Sequence, residues 1–342
     1  VNLRVAADDA AGHGPDTVPA DILIEGERIA AVAGPAERPS EADEQRIDLE
    51  GQLVLPGAID GHVHFDDPGF TDRENFETGT RSAAAGGVTC IVDMPCTSLP
   101  PVTSRANLDA KLAVIEPKAH VDFMLWGGVS ANALEREDWV TDLEDVVSEG
   151  VGAIKVYMLS GMDTFRDLEP ARIEAVLKET RRLGVPVGVH AEDREMVLGL
   201  TERLMARGRN GPLDYAASRP AAGEVSAVST LRDLCRRTGA RLHVVHVGSG
   251  EALDVITAAR EEGLPLSGET CPQYLEFTEE DLASQGAILK TAPVVKTAAD
   301  RDRLWAGVAN GDIQHVATDH AAGEWPDEKH TGSIWTDYGG VP

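Results

Sequence analysis

The sequence predicts an α/β fold, a TIM (β/α)8 barrel behind a small N-terminal β-sandwich domain. Three observations carry that expectation. After Pro56 short apolar runs alternate with helical stretches, the texture of a parallel sheet wrapped by helices. Eight such runs can be counted. The helical stretches between them mostly stop at Gly, the residue favoured just past a helix C-terminus. A doubly wound open sheet is the second architecture compatible with this alternation.

Residues 1–56 read as β structure. "DILIEGERIAAVAG", from Asp21 to Gly34, holds two short apolar runs about a Glu-Gly turn, and "RIDLEGQLVLPG" continues in kind. This segment is expected to form part of a β-sandwich that needs C-terminal strands for completion, with residues 57–342 forming the barrel. The barrel strands are expected in "AIDGHVHF", "VTCIVDM", "VDFMLWGGV", "AIKVYM", "PVGVHAED", "RLHVVHV", "PLSGETC" and "HVATDH". Helices are expected in "ENFETGTRSAAAGG", "DWVTDLEDVVSEG", "ARIEAVLKETRRLG", "EALDVITAAREEG" and "DRDRLWAGVANG", with Gly86 and Gly87 capping the first. The closing run "EWPDEKHTGSIWTDYGGVP" reads as loop where a closed barrel calls for a helix, so the chain is expected to be cut short.

At 342 residues the chain exceeds one small core, and 42% hydrophobic with 26% charged residues is a globular composition. No apolar run is long enough to span a bilayer, and no signal-peptide pattern is visible, although a start at Val1 leaves room for a trimmed leader. A net charge of −27 argues against nucleic acid and anionic membranes as partners, since both would be repelled. The acidic residues are spread along the chain, as on a solvated surface. Cys90, Cys96, Cys235 and Cys271 make no CxxC pair and read as reduced thiols, which points to the cytoplasm.

The chemistry begins in "IDGHVHFDDPG", where His62 and His64 stand one residue apart behind an apolar run. In a strand such residues share a face, so the pair is a metal clamp or a coincidence among ten His. Barrel enzymes keep their working groups at the C-terminal ends of strands. Those ends supply His62 and His64 on strand one, Lys155 on four, His190 on five, His246 on six and Asp319 on eight. Four His, an Asp and a strand Lys on one rim are hard to explain by packing and point to metal. Lys155, between Ile154 and Val156, should avoid burial without a partner. It is either salt-bridged to a carboxylate or neutral and reactive, and in the second case it could take up CO2 as a carbamate. His243, three residues before His246, is expected to face the opposite way and to be structural. Trp126 and Trp305 read as core or helix-packing residues. Ser249 and Gly250 open a helix whose backbone N–H groups could meet a substrate oxygen.

From "LPGAIDGHVH" to "ATDH" these motifs resemble the amidohydrolase superfamily, in its cyclic-amidase branch of allantoinases, dihydroorotases and hydantoinases. The resemblance implies that His62, His64 and Asp319 bind one metal and that His190 and His246 bind a second. It implies that Lys155 is carboxylated by CO2 and bridges the two ions, which are divalent and most often zinc. It also implies a homo-oligomer, dimer or tetramer, acting on a small cyclic amide. The implied reaction is metal-assisted hydrolysis, with Asp319 accepting the water's proton and passing it to the leaving nitrogen. A non-catalytic assembly protein is the reading of another class, and the complete ligand set argues against it.

Dihydroorotases of the branch carry an Arg two residues after the HxH pair and an Asn in an "MPNT" run, both gripping a carboxylate. Asp66 and Cys96 ("MPCTS") stand there instead, and an Asp should repel dihydroorotate. "MLWGGV", "SRPAAGEVSAV", "RLHVVHVGS", "ETCPQYLEFTEEDL" and "DMPCTSLPP" resemble allantoinases most closely. Gln273 departs from the His of "ETCPHYL", and "TDHAAGEW" lacks the usual Ser-Pro. Allantoin is the expected substrate, with a hydantoin or dihydropyrimidine next.

Overall fold

The computed structural model describes residues 3–7, 16–34 and 45–342. The chain forms two compact units, Val1–Ala58 and Ile59–Pro342. The described part of the first unit is one sheet of β1 (Leu3–Ala7), β2 (Asp16–Glu25), β3 (Arg28–Ala33) and β4 (Gln52–Val54), in the order β3-β2-β1-β4. β2 and β3 are antiparallel, with Glu25 opposite Arg28. Gly26 turns that hairpin at φ 61°, a conformation that costs a residue without Cβ nothing. Among the described residues this unit therefore supplies a single layer where the sequence suggests a sandwich.

The second unit contains the strands that the sequence marks. They are β5 (Ala58–His64), β6 (Val88–Asp93), β7 (Asp122–Leu125), β8 (Gly127–Gly128), β9 (Ile154–Tyr157), β10 (Val187–His190), β11 (Leu242–Val244), β12 (Leu266–Thr270), β13 (His315–Val316) and β14 (His320–Ala321). Two expected strands are split, the third around Trp126 into β7 and β8 and the eighth into β13 and β14. Those splits join the sheets β13-β12-β11-β10-β9-β8 and β14-β5-β6-β7 end to end. Parallel pairing runs through both. The sheet thus closes on itself as a barrel, and the open doubly wound alternative is excluded.

Helices Phe76–Ala85, Trp139–Ser148, Pro170–Leu183, Gly250–Glu261 and Ala298–Asn310 fill the expected stretches. Asn75 caps the first by accepting the Thr78 N–H, and Gly184 and Gly311 end two others in the left-handed conformation. Helices Arg105–Ile115, Arg194–Met205 and Ala221–Thr238 complete the wrap. After β14 the described chain runs in turns and bridges back from Val341 to His320.

Inside the barrel Trp126 lies against Gly188, where a Cβ would come within 2.6 Å of the indole. The indole N–H donates to the Gly61 carbonyl at 3.2 Å, tying strand three to strand one. Trp305, by contrast, is 53% exposed, and its N–H donates to the Leu275 carbonyl at 2.7 Å. It is therefore not a core residue, and its contact with the helix Pro272–Glu276 fits the helix-packing reading.

Strands one and two are held by a buried polar knot. Asp93 accepts the Phe65 N–H at 2.8 Å and the Lys111 ammonium, which also reaches Ser98 Oγ at 2.6 Å. Lys111 and Asp93 are both fully buried. Removing one member of a buried ion pair strands the other, at a cost of about 3 kcal/mol or more. Lys111→Met, which keeps the aliphatic stem, should therefore lower the free energy of unfolding in urea by that amount. An unchanged midpoint would show that the pair contributes nothing to the fold.

Candidate metal centre

His62 and His64 project from the end of β5, with their Nε2 atoms 3.2 Å apart. The same Asp319 Oδ1 lies 3.1 Å from His62 Nε2 and 3.2 Å from His64 Nε2. Strand eight brings the carboxylate there. β14 pairs with β5, and the Asp319 N–H donates to the His62 carbonyl at 3.0 Å. Asp60 Oδ1 and Oδ2 accept the Thr318 N–H and hydroxyl at 3.1 and 2.6 Å, bracing the residue before it. Asp319 has φ 53° and His246 has φ 41°, both in the left-handed region that non-glycine residues avoid. Such strain costs on the order of 1–3 kcal/mol per residue and persists only where the surroundings impose it.

His190 ends β10, and its Nδ1 lies 3.2 Å from His246 Nε2, just beyond β11. The His246 ring centroid is 4.8 Å from that of His190 and 5.5 Å from that of His62, so the two His pairs are neighbours. Lys155, in β9, is fully buried and its Nζ has no hydrogen-bond partner among the described residues. Burial holds this amine below its ordinary value, against the pull of Asp319. The salt bridge that would make Lys155 a structural residue is therefore missing among the described residues. Burial alone would raise the Asp319 carboxyl, but the His62 and His64 imidazoles hold it well below its usual range, so it stays ionised. The structure thus brings His62, His64, Lys155, His190, His246 and Asp319 together.

This donor set suits a divalent cation. His246 Nδ1, like Lys155 Nζ, is buried without a partner among the described residues, an arrangement that costs free energy in a sealed interior. His62, His64 and Asp319 offer three ligand atoms within 4.8 Å of one another, two imidazoles and a carboxylate.

Four supporting residues escape the sequence reading. Glu269, on β12, sits 2.5 Å from His62 Nδ1, and Glu192 sits 2.8 Å from His190 Nε2. Each carboxylate fixes a tautomer, leaving the opposite ring nitrogen with a lone pair turned to the centre. Arg219 in turn holds Glu192. Tyr157 shares a face with Lys155 by alternation, stacks on His190 at 5.2 Å and meets Cys96 Sγ at 3.1 Å. A charged residue inside the buried strand "SGET" is the same signal that singles out Lys155, and it marks Glu269 equally.

Other expectations need correcting. β11 ends at Val244 and His246 has turned out of the strand, so alternation does not separate it from His243. His243 enters the same interior and lies 3.1 Å from Glu269 Oε2. The N–H groups near Ser249 are already spent: Gly248 and Ser249 donate to Glu224 Oε2 at 2.9 and 3.2 Å, and Gly250 donates to Asp300 at 2.9 Å. Asp66 is fully buried, and neither carboxyl oxygen has a partner among the described residues. Burial, opposed by Arg73, pushes its carboxyl up to about 7, so near neutral pH it is not the fixed negative charge that the sequence suggests.

A closed (β/α)8 barrel with imidazoles and a carboxylate clustered at the strand ends defines a barrel protein with a candidate metal centre. The chain matches the amidohydrolase family over residues 53–336 and belongs to it. It is 40% identical over 298 residues to an allantoinase of Rubrobacter xylanophilus, covering 87% of this chain but 64% of that protein. An allantoinase of Deinococcus radiodurans is 38% identical over 323 residues, 94% of this chain and 70% of that one. Among solved structures, an L-hydantoinase (dihydropyrimidinase) from Arthrobacter aurescens superposes with a TM-score of 0.87 at 27% identity. That match covers 99% of this chain and 72% of the other. Family membership and the His62–His64–Asp319 group together imply use of a divalent metal.

Glu269→Gln keeps the shape of the side chain but removes the charge that steadies His62. Loss of such a partner weakens metal binding by about 10–100-fold. Chelator competition should show a loss of this size, with the melting temperature measured alongside to separate it from unfolding. Unchanged metal affinity would mean that His62 needs no orienting partner.

Proposed function

We propose that this chain carries the catalytic barrel of a cyclic amidase that hydrolyses a ring C–N bond, with allantoin, opened to allantoate, as substrate. The observation that carries the proposal is Lys155, buried without a partner among the described residues beside two His pairs and an ionised Asp. The allantoinases named above support the choice of ring, and the likeness to a hydantoinase supports a hydantoin or dihydropyrimidine as the second reading. A dimeric or tetrameric assembly and a cytoplasmic setting belong to the same proposal. No helix among the described residues is long and apolar enough to cross a membrane.

In this reading His62, His64 and Asp319 hold one divalent ion, His190 and His246 hold another, and zinc fits the donors. When bound, the two ions polarise the amide carbonyl and make the attacking water acidic. The neutral Lys155 amine can add to the carbon of CO2 and release a proton to solvent, and the resulting carbamate would supply an anionic ligand to the ions. Glu269 and Glu192 keep His62 and His190 in the tautomer that presents a lone pair. Asp319 would take the proton of the attacking water and return it to the ring nitrogen, which leaves as the NH2 of a ureido group.

Lys155→Ala should lose bound metal and ring-opening together, as measured by elemental analysis and turnover of allantoin. Lys155→Arg should do no better, because a guanidinium stays charged and forms no carbamate. Formate or acetate added to the Ala variant should restore part of the activity by standing in for the bridge. Normal metal content in Lys155→Ala would end the bridging role.

Asp66, partly protonated, and Cys96 stand where the dihydroorotase pattern has the Arg and Asn that grip a carboxylate. The kcat/KM for dihydroorotate should therefore fall at least about tenfold below that for allantoin. Preference for dihydroorotate in a side-by-side assay would reverse the assignment.

A further inference from the structure

On the side of Glu269 away from His62, a second group of donors converges. Glu269 Oε2 lies 3.1 Å from His243 Nε2 and 2.7 Å from His315 Nε2, and the donor atoms all lie within 4.8 Å of one another. The three residues come from β11, β12 and β13, which are consecutive in the sheet, and Glu269 pairs directly with His315. The two imidazoles stack almost parallel, with centroids 5.1 Å apart and planes 8° from each other.

We propose that His243, Glu269 and His315 form a further divalent-cation site, distinct from the Lys155 centre and joined to it only through the Glu269 carboxylate. His243 Nδ1 is 2.8 Å from Ser267 Oγ, and that hydroxyl can itself donate to the Leu242 carbonyl at 3.5 Å. Nδ1 is then the protonated nitrogen, and Nε2 turns a lone pair toward a carboxylate oxygen. Two acceptors in contact require a proton or a cation between them. His315 aims its own Nε2 at the same oxygen, so one ion satisfies all three groups.

The spacing fits. Bonds of about 2.0–2.1 Å in tetrahedral geometry place zinc donors roughly 3.4 Å apart, so the contacts of 3.1 and 2.7 Å need to open by less than about 1 Å. Glu269 Oε1 is committed to His62, which leaves Oε2 for this ion. Two His and one Glu leave a fourth position for water, and the His315 side chain, 43% exposed, gives ion and water access. His243 and Glu269 are buried, so the site has rigid walls. Nothing here depends on the amidase reading.

The full-length chain, stripped with a chelator and titrated with Zn2+ or Co2+, tests the site by calorimetry and elemental analysis. Wild type should bind one ion more than His315→Ala, and the cobalt difference spectrum between them should show tetrahedral d–d bands. Zinc-soaked crystals should give an anomalous peak within bonding distance of the three donors. His243→Gln serves as the second variant, with circular dichroism confirming that each is folded. Lys155→Ala should keep the ion that depends on His315. If it loses no metal at all while His315→Ala loses one equivalent, the Lys155 centre fails and this site stands. Equal stoichiometry and affinity in wild type, His315→Ala and His243→Gln overturn the proposal and leave a proton-bridged network.

Discussion

Everything at the centre depends on how strand eight closes onto strand one. The closing strand is short and broken, and β14 contributes only His320 and Ala321 to the pairing with β5. Side chains make up the difference. Asp60 takes both donors of Thr318, and the Asp319 N–H takes the His62 carbonyl. These bonds hold Asp319 in a left-handed conformation and set its carboxylate against both imidazoles of the HxH pair. A regular strand would carry Asp319 on with ordinary alternation. The break in the strand and the geometry of the cluster are thus one feature, and the strain is offset by bonds that only a closed barrel can make.

The barrel interior is unusually polar for a packed core, and its charges show how each is tolerated. Lys111 is matched by Asp93, Arg219 by Glu192 and Lys296 by Glu224, all of them partners within hydrogen-bonding range. Glu269 is surrounded by three imidazoles. Lys155 differs from these cations: its Nζ is buried and has no hydrogen-bond partner among the described residues, as is also true of both Asp66 carboxyl oxygens. Desolvation of an unpaired ammonium is costly enough to drive it to the neutral amine. Unlike the Lys111, Arg219 and Lys296 cations, the Lys155 amine has no carboxylate within hydrogen-bonding range among the described residues, and it marks a place where something outside the chain can complete the balance.

Much of this was legible in the residues. Alternation in "GHVH" puts both imidazoles on one face, and an ionisable residue in "AIKVYM" betrays a strand end that is more than packing. What alternation could not reach is where a strand stops. His246 lies outside β11, so the same parity rule that succeeds for His62 and His64 misplaces His243. Glu192, two residues after His190, likewise lies beyond β10 and is held by Arg219 from a distant segment. The helix N-terminus at Ser249 shows a third limit. Its donors are free in the sequence but claimed by Glu224 and Asp300, contacts across 24 to 50 residues that no local pattern reveals.

The rim explains why charge, more than shape, separates candidate rings. Arg73, the guanidinium that acts on Asp66, is already engaged by Glu328 and lies 4.3 Å from the Tyr338 ring. Arg219 is engaged by Glu192. A substrate carboxylate would need one of them to abandon its partner; Glu328 is part-exposed, but Glu192 is buried, and stranding it costs several kcal/mol. A neutral ureide asks for no such exchange. Its amide groups can donate to and accept from hydroxyl, thiol and half-protonated carboxyl groups, which switch role without a change of net charge. On the proposed function, these surroundings suit an uncharged, hydrogen-bonding ring.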